Sequence, residues 1–231
     1  MTVILEGIVG STAYGLATPA SDIDVLSTFI APTRDILGFG LSSGQQSRVT
    51  TAPDSTSHEI GKYVSLALRC NPTILELMFL SEYEVEAGLG QELVALRGGF
   101  LSSRCVVDAY CGYAVQQAKR LLRRDEEGKD GFGDVPTSRS AKHGRHCFRL
   151  LTQAEQLLRT GTLTVRLLPS EVEKVWEAGE WAARDKQTFH DAMLRKASGI
   201  ETLETSLPDN PARAQIERWL VHARLMSVVG Y

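Results

Sequence analysis

The stretch GSTAYGLATPASDID, residues 10–24, decides the fold predicted for this chain. An apolar segment, residues 3–9, precedes it and predicts a buried strand that ends at a Gly-Ser turn. Residues 22–26 then alternate polar and apolar side chains, which predicts a second strand. Because side chains alternate between the two faces of a strand, both aspartates should share one face, while Ile23 and Val25 point into the core.

Two carboxylates held this close together repel each other unless a cation lies between them. Hard divalent cations such as Mg²⁺ favour that arrangement, above all when substrate phosphates complete their coordination. Glycine at position 10 allows the backbone to approach a phosphate closely, and the hydroxyl of Ser11 can bind phosphate oxygens. Taken singly, the acidic pair could be a solvated strand end and the Gly-Ser pair a plain turn. Together they favour a site for metal ions and phosphates.

Gly-Ser followed about ten residues later by Asp-x-Asp resembles the active-site motif of the DNA polymerase β-type nucleotidyltransferase superfamily. The fuller string resembles one branch of it, the predicted nucleotidyltransferases of bacteria and phages. Further stretches resemble the same branch in the same order, namely residues 59–63, 71–76, 142–151 and 161–167. The resemblance runs from about residue 6 to about residue 170.

This resemblance implies an α+β fold, in which a small mixed, palm-like sheet is followed by a helical domain. It implies transfer of a nucleoside monophosphate from an NTP such as ATP to an acceptor hydroxyl, with release of pyrophosphate and help from two Mg²⁺ or Mn²⁺ ions. Asp22 and Asp24 would be catalytic metal ligands. Gly10 and Ser11 would hold the β- and γ-phosphates.

The superfamily normally uses a third carboxylate on a nearby strand, and we assign it to Glu59 as a catalytic metal ligand. Glu59 closes an extended stretch, residues 57–60, just before a helix. It could instead be an acid that favours a helix N-terminus. Glu76 is the alternative third carboxylate, or a buried structural acid that needs a partner.

A second candidate site lies on a helix predicted over residues 140–159. Lys142, His146, Arg149 and Gln153 are spaced to form one stripe on that helix. A basic stripe left free by the packing can bind a triphosphate through Lys and Arg, but it can also be an ordinary solvated face. Arg166 is a further candidate for a phosphate or base contact.

Other local signals predict the remaining elements. Helices are expected from Ile60, after an N-cap at Asn71, over residues 104–124, and near residues 185–205 and 211–228, with a further helix started by a capping box of Ser170 and Glu173. We expect a surface loop at residues 41–47, a mobile loop at residues 125–139, a glycine C-cap at Gly161 and an extended segment at residues 163–167.

The composition limits the kind of protein. The 231 residues carry a net charge of −3, which excludes a polycation that coats nucleic acid. Residues 1–96 hold 4 basic and 11 acidic side chains, and residues 97–159 hold 12 basic and 7 acidic ones. We therefore predict a catalytic domain at 1–96 and a helical domain at 97–231 that contributes nucleotide or acceptor contacts. The four cysteines have no disulfide or metal spacing, and no membrane segment is seen, so a cytoplasmic protein is expected.

The sequence leaves two kinds of function open. The first is the nucleotidyltransferase, with an NTP as one substrate and RNA, a protein or a small molecule such as an antibiotic as the acceptor. The second is a non-catalytic sensor or inhibitor that keeps the fold and binds nucleotide or RNA. The paired acids favour the enzyme, because a module that only binds has no need of them.

Overall fold

The computed structural model describes residues 2–37, 39–51, 54–126 and 135–229, which form an α+β fold. The strands are β1 (Thr2–Val9), β2 (Asp24–Ile30), β3 (Ser47–Thr51), β4 (Asp54–Glu59) and β5 (Val85–Glu86). The helices are α1 (Gly10–Tyr14), α2 (Thr33–Leu37), α3 (Ser43–Gln46), α4 (Ile60–Ala67), α5 (Pro72–Met78), α6 (Gly88–Ala95), α7 (Ser103–Val106), α8 (Gly112–Glu126), α9 (Val135–Thr160), α10 (Pro169–Arg184), α11 (Lys186–Glu201) and α12 (Arg213–Val229). None of the helices in this described part is long and apolar enough to cross a membrane.

The strands form one mixed sheet in the order β3-β4-β2-β1-β5. Only β2 and β4 pair in parallel, and the other neighbours are antiparallel. The sheet buries apolar side chains such as Leu5, Leu26 and Phe29. The predicted small mixed sheet, followed in sequence by helices, is confirmed.

The second strand begins later than predicted. Pairing between β1 and β2 stops at Val9 and Asp24, because the chain turns into α1 at Gly10 and offers no partner to residues 22 and 23. Ile23 is therefore 56% exposed rather than directed into the core, and that prediction was wrong.

The chain divides into two compact units. The first comprises Met1–Ser102, Thr164–Arg166 and Pro208–Tyr231, and the second comprises Ser103–Leu163 and Leu167–Leu207. These units differ from the predicted segments 1–96 and 97–231, because the C-terminal helix α12 belongs to the first unit.

Helix α12 is held within the first unit by polar contacts. The guanidinium of Arg224 forms a bidentate ion pair with the buried carboxylate of Glu59, with 2.8 Å between Nη2 and Oε2. Thr33 Oγ1 donates a hydrogen bond of 2.7 Å to the carbonyl of Arg224. Trp219 Nε1 donates to Glu92 Oε2 at 2.9 Å.

The second unit is helical. Its first helices, α7 and α8, are joined by a π-helical segment, Val107–Cys111, within the single helix predicted over residues 104–124. Both ends of the loop predicted at residues 125–139 are helical, since α8 reaches Glu126 and α9 begins at Val135; the rest of that prediction falls on residues 127–134, which lie outside the described residues. Gly161 has φ +66° and caps α9 as predicted, with its N–H bonded to the carbonyl of Leu157.

Residues 163–167, which were predicted to be extended, form neither a helix nor a paired strand. Two other local predictions fail. Helix α10 begins at Pro169 rather than after a capping box at Ser170, and Glu171 accepts a hydrogen bond of 2.8 Å from the N–H of Leu168. The loop predicted over residues 41–47 contains the short helix α3.

Replacing Arg224 with Met should lower the free energy of unfolding by about 3 kcal/mol, because it leaves the buried carboxylate of Glu59 without its cation. Urea denaturation measures this change. The exposed Arg218 on the same helix is the matched control, and Arg218→Met should cost less than about 0.5 kcal/mol. Equal losses in the two variants would show that the ion pair does not stabilise the docked helix.

Candidate functional site

A cavity of about 470 Å³ opens in the first unit beside the start of β2. Its walls come from the end of β1, from α1, β2 and β4, and from α4 and α5. This volume lies within the range of sites that bind small molecules.

Asp24 and Asp54 form the acidic end of this cavity. They are the first residues of β2 and β4, two parallel strands that pair from Val25 and Ser55 onward. Each aspartate therefore stands one residue before the first position at which β2 and β4 pair with each other. Side chains at matching positions of paired strands point to the same face. The register thus brings two carboxylates to one end of the cavity.

Gly10 lies directly against the carboxylate of Asp24. A Cβ atom on this residue would stand 2.2 Å from Asp24 Oδ2, which no side chain could tolerate. The backbone also has φ +69° at Gly10, a region that favours glycine. Glycine is required here twice over, by the backbone conformation and by the neighbouring carboxylate.

The other two residues of the predicted motif lie nearby in sequence but differ in setting. Ser11 is half-buried on α1, and its carbonyl accepts a hydrogen bond of 2.9 Å from the N–H of Leu16. Asp22 is exposed in the segment before β2, outside the cavity wall. Within the described ranges, no three His, Cys, Asp or Glu side chains are grouped so that they could hold a metal ion.

Glu59, the predicted third carboxylate, lies elsewhere. It is buried, pairs with Arg224 and accepts a hydrogen bond of 2.7 Å from the N–H of Gly61 as the N-cap of α4. It lines a different cavity of about 440 Å³. The structure therefore does not bring Glu59 to Asp24.

Asp54 is the acidic residue that the sequence reasoning missed. The extended stretch was predicted to begin at Ser57, whereas β4 begins three residues earlier, at Asp54. The alternation over Asp54, Thr56 and His58, all three on the cavity wall, was the available signal. Parallel pairing with β2 was needed to show which of these residues stands beside Asp24.

The alternative third carboxylate, Glu76, is fully buried on α5 and lines the same cavity as Asp24. Tyr14 donates a hydrogen bond of 2.5 Å from its hydroxyl to Glu76 Oε2. This bond gives the buried acid a polar partner, as burial requires. It also fixes α1, and with it the glycine-led turn, to α5.

In the second unit, the predicted basic stripe is largely covered. Arg149 is 4% exposed and Gln153 is 2% exposed, so the prediction that this stripe stays free was wrong. Arg149 donates from Nη1 to Gln153 Oε1 at 2.7 Å and from Nη2 to His146 Nδ1 at 3.1 Å. The cause is packing against α8, where the ring of Tyr113 meets that of His146 edge-on at 5.0 Å. Lys142 remains exposed.

His146 is a neutral hydrogen-bonding residue in this setting. Burial lowers its pKa to about 3, and the nearby charge of Arg149 acts in the same direction. Because a guanidinium can only donate, Nδ1 must accept, and the ring proton sits on Nε2. Arg166, the remaining predicted contact, is exposed and falls in the first unit.

A small mixed sheet with a Gly-Ser turn after β1 and an aspartate at the start of β2 agrees with the fold that the resemblance to nucleotidyltransferases of the DNA polymerase β type implies. Over residues 1–227 the sequence matches the RNA repair pathway DNA polymerase beta family (RlaP), and the chain belongs to that family. Comparison with curated proteins gave no match. The predicted superfamily and fold are thereby confirmed.

The burial of His146 should make stability depend on pH. Its pKa is lowered from 6.5 to about 3 on folding, so between these values the unfolded chain binds a proton that the folded chain does not. The free energy of unfolding should therefore fall as the pH falls, by about 2 kcal/mol between pH 7 and pH 5 from this group alone.

His146→Asn keeps an acceptor for Arg149 but cannot titrate. The free energy of unfolding of this variant should therefore not show the fall between pH 7 and pH 5 that His146 causes. Urea denaturation of both proteins at pH 7 and pH 5 gives the comparison. The same dependence on pH in both would show that His146 does not carry it.

Proposed function

We propose that this protein is a nucleotidyltransferase that moves a nucleoside monophosphate from an NTP to an acceptor hydroxyl and depends on Mg²⁺ or Mn²⁺. The observation that carries the proposal is the acidic end of the cavity, where Asp24 lies against Gly10 and Asp54 opens the parallel strand beside it. Membership of a polymerase β-type family supports the same reaction class.

The donor set at this end fits a hard divalent cation. Asp24 and Asp54 supply carboxylate oxygens, the ligands that Mg²⁺ prefers. Asp22, two residues before Asp24 on an exposed segment, would complete the set once ions and nucleotide are bound, as the family resemblance implies. Bound ions would activate the attacking hydroxyl and neutralise charge on the triphosphate.

The chain's own residues would mainly position the nucleotide. The lack of a side chain at Gly10 leaves room for the carboxylate of Asp24 beside the turn. Gly10 and Ser11, at the start of α1, would hold the β- and γ-phosphates. In the reaction, the acceptor oxygen forms a bond to the α-phosphorus and the bond between the α- and β-phosphates breaks. Pyrophosphate leaves with the electron pair, and the hydroxyl proton passes to solvent.

We propose a hydroxyl at an RNA end as the acceptor, because the family is described by an RNA repair pathway. The exposed Lys142 and Arg166 are kept as proposed contacts to phosphates. His146 and Arg149, which the structure holds in a buried hydrogen-bonded set, would act by shaping α9 rather than by binding phosphate directly.

A non-catalytic nucleotide sensor is the second candidate. The observation that favours it is that the described residues contain no ready group of three metal-binding side chains. Nucleotide binding by the wild-type protein without any transfer would support this candidate and contradict the enzyme.

Asp24→Asn and Asp54→Asn should each reduce nucleotidyl transfer by about 100-fold or more, because each removes a carboxylate ligand that would hold Mg²⁺ beside the triphosphate. The assay uses each α-labelled NTP with Mg²⁺, RNA oligonucleotides and a cell extract as acceptors, and it records label transfer and pyrophosphate release.

The exposed Asp35 provides the control, since Asp35→Asn removes an acid outside the cavity. Glu59→Gln should instead lower stability and leave transfer near the wild-type rate in the folded fraction. If folded Glu59→Gln lost transfer while Asp54→Asn kept it, Glu59 and not Asp54 would be the third carboxylate of the site.

Gly10→Ala should reduce transfer by about tenfold or more, because its methyl group would displace the carboxylate of Asp24. Gly15 provides a matched control: it has φ +77°, yet a Cβ there would meet nothing within 4 Å. Both alanine variants carry a similar backbone strain of about 1 kcal/mol. Equal transfer by the two variants would show that the contact between Gly10 and Asp24 is not part of the site.

A further inference from the structure

The wall of the cavity away from its acidic end contains a histidine, His58. It lies on β4 four residues after Asp54, on the same face of the strand, and therefore about 13 Å further along. A triphosphate bound at Asp24 and Asp54 would therefore not reach His58. The cavity is also partly apolar, since Leu66 and Ile74 belong to its lining.

Two neighbours fix the ring of His58. Ser47 is its cross-strand partner on β3, with 2.7 Å between Ser47 Oγ and His58 Nδ1. Lys62 donates from Nζ to the same Ser47 Oγ at 2.6 Å. An ammonium group can only donate, so the serine oxygen accepts from Lys62, and the serine proton is available to Nδ1. A serine that donates to Nδ1 leaves the ring proton of His58 on Nε2.

Electrostatics keep this ring neutral. Burial lowers the pKa of His58, and the positive charge of Lys62 lowers it further. A neutral imidazole with its proton on Nε2 offers one directional hydrogen-bond donor. Such a donor can recognise an acceptor atom on an uncharged ligand.

We propose that His58 contacts the base of the bound NTP, donating a hydrogen bond from Nε2, and that Ser47 and Lys62 are positioning residues for this contact. The inference rests on the proposed function, which places the triphosphate at the acidic end and so directs the nucleoside along the cavity. The presence of Leu66 and Ile74 in the lining suits the planar ring of a base. His58 therefore contributes to the choice among NTPs.

The test compares binding of the four α,β-methylene nucleoside triphosphates, which resist transfer, with binding of inorganic tripolyphosphate, all with Mg²⁺. Calorimetry is performed on the full-length wild-type protein and on His58→Ala. The variant should bind the preferred nucleotide about fivefold to tenfold more weakly, because one neutral hydrogen bond is lost. It should also discriminate less among the four bases and bind tripolyphosphate as the wild type does.

His58→Gln keeps an N–H donor and should recover part of the affinity for the preferred nucleotide. If His58→Ala does not fold, His58→Gln takes its place in the comparison of binding. Unchanged nucleotide affinity and base preference in the folded variants would overturn the inference. So would equal losses for nucleotide and tripolyphosphate, because His58 would then act on the phosphate end or on the cavity as a whole.

The positioning role of Ser47 can be measured in the protein without nucleotide, through the tautomer of His58. Nitrogen NMR of the imidazole should show His58 as the neutral form protonated on Nε2. Ser47→Ala should give a mixture of tautomers and reduce base preference, and Ser47→Thr, which keeps the hydroxyl, should restore both. A ring protonated on Nδ1 in the wild type would overturn this role.

These outcomes separate the two proposals. Wild-type protein that binds neither nucleotide nor tripolyphosphate would contradict the proposed function. Wild-type protein that binds both, with His58→Ala indistinguishable from it, would contradict only the role of His58.

Discussion

The contact between the carboxylate of Asp24 and the bare α-carbon of Gly10 is the constraint on which the first unit depends. It occurs where the β1–β2 ladder ends, because the chain leaves the sheet at Gly10 with a positive φ. Any side chain at this point would push the acid away. The β1–β2 ladder ends at this contact, and both residues line the cavity that opens there.

Short-range signals in the sequence were sufficient for many elements. The first strand, the N-cap at Asn71 and the glycine cap at Gly161 all follow from the residues next to them, and the structure confirms each. Two residues of the predicted motif, Gly10 and Asp24, lie at the end of the sheet where the cavity opens. Such features depend on backbone preferences and on partners a few residues away, which a sequence displays directly.

Features that depend on distant partners could not be predicted in the same way. Glu59 looked like a site residue because it closes a strand, but its charge is matched by Arg224, 165 residues further along the chain. Asp54 became visible as a site residue only through the parallel register with β2. Arg149 was expected on a free face, and only the packing of α8 against α9 shows that it is buried. In each case the deciding contact is one that local patterns do not encode.

The return of α12 to the first unit affects how the protein acquires its structure during synthesis. Translation produces the sheet before the second unit, and Pro208–Tyr231 follow that unit. Until they are made, Glu59 lacks the guanidinium of Arg224, and the surface that α12 will cover is open to water. Because domains fold as units during translation, the nascent first unit must wait for the whole second unit to be made before it is complete.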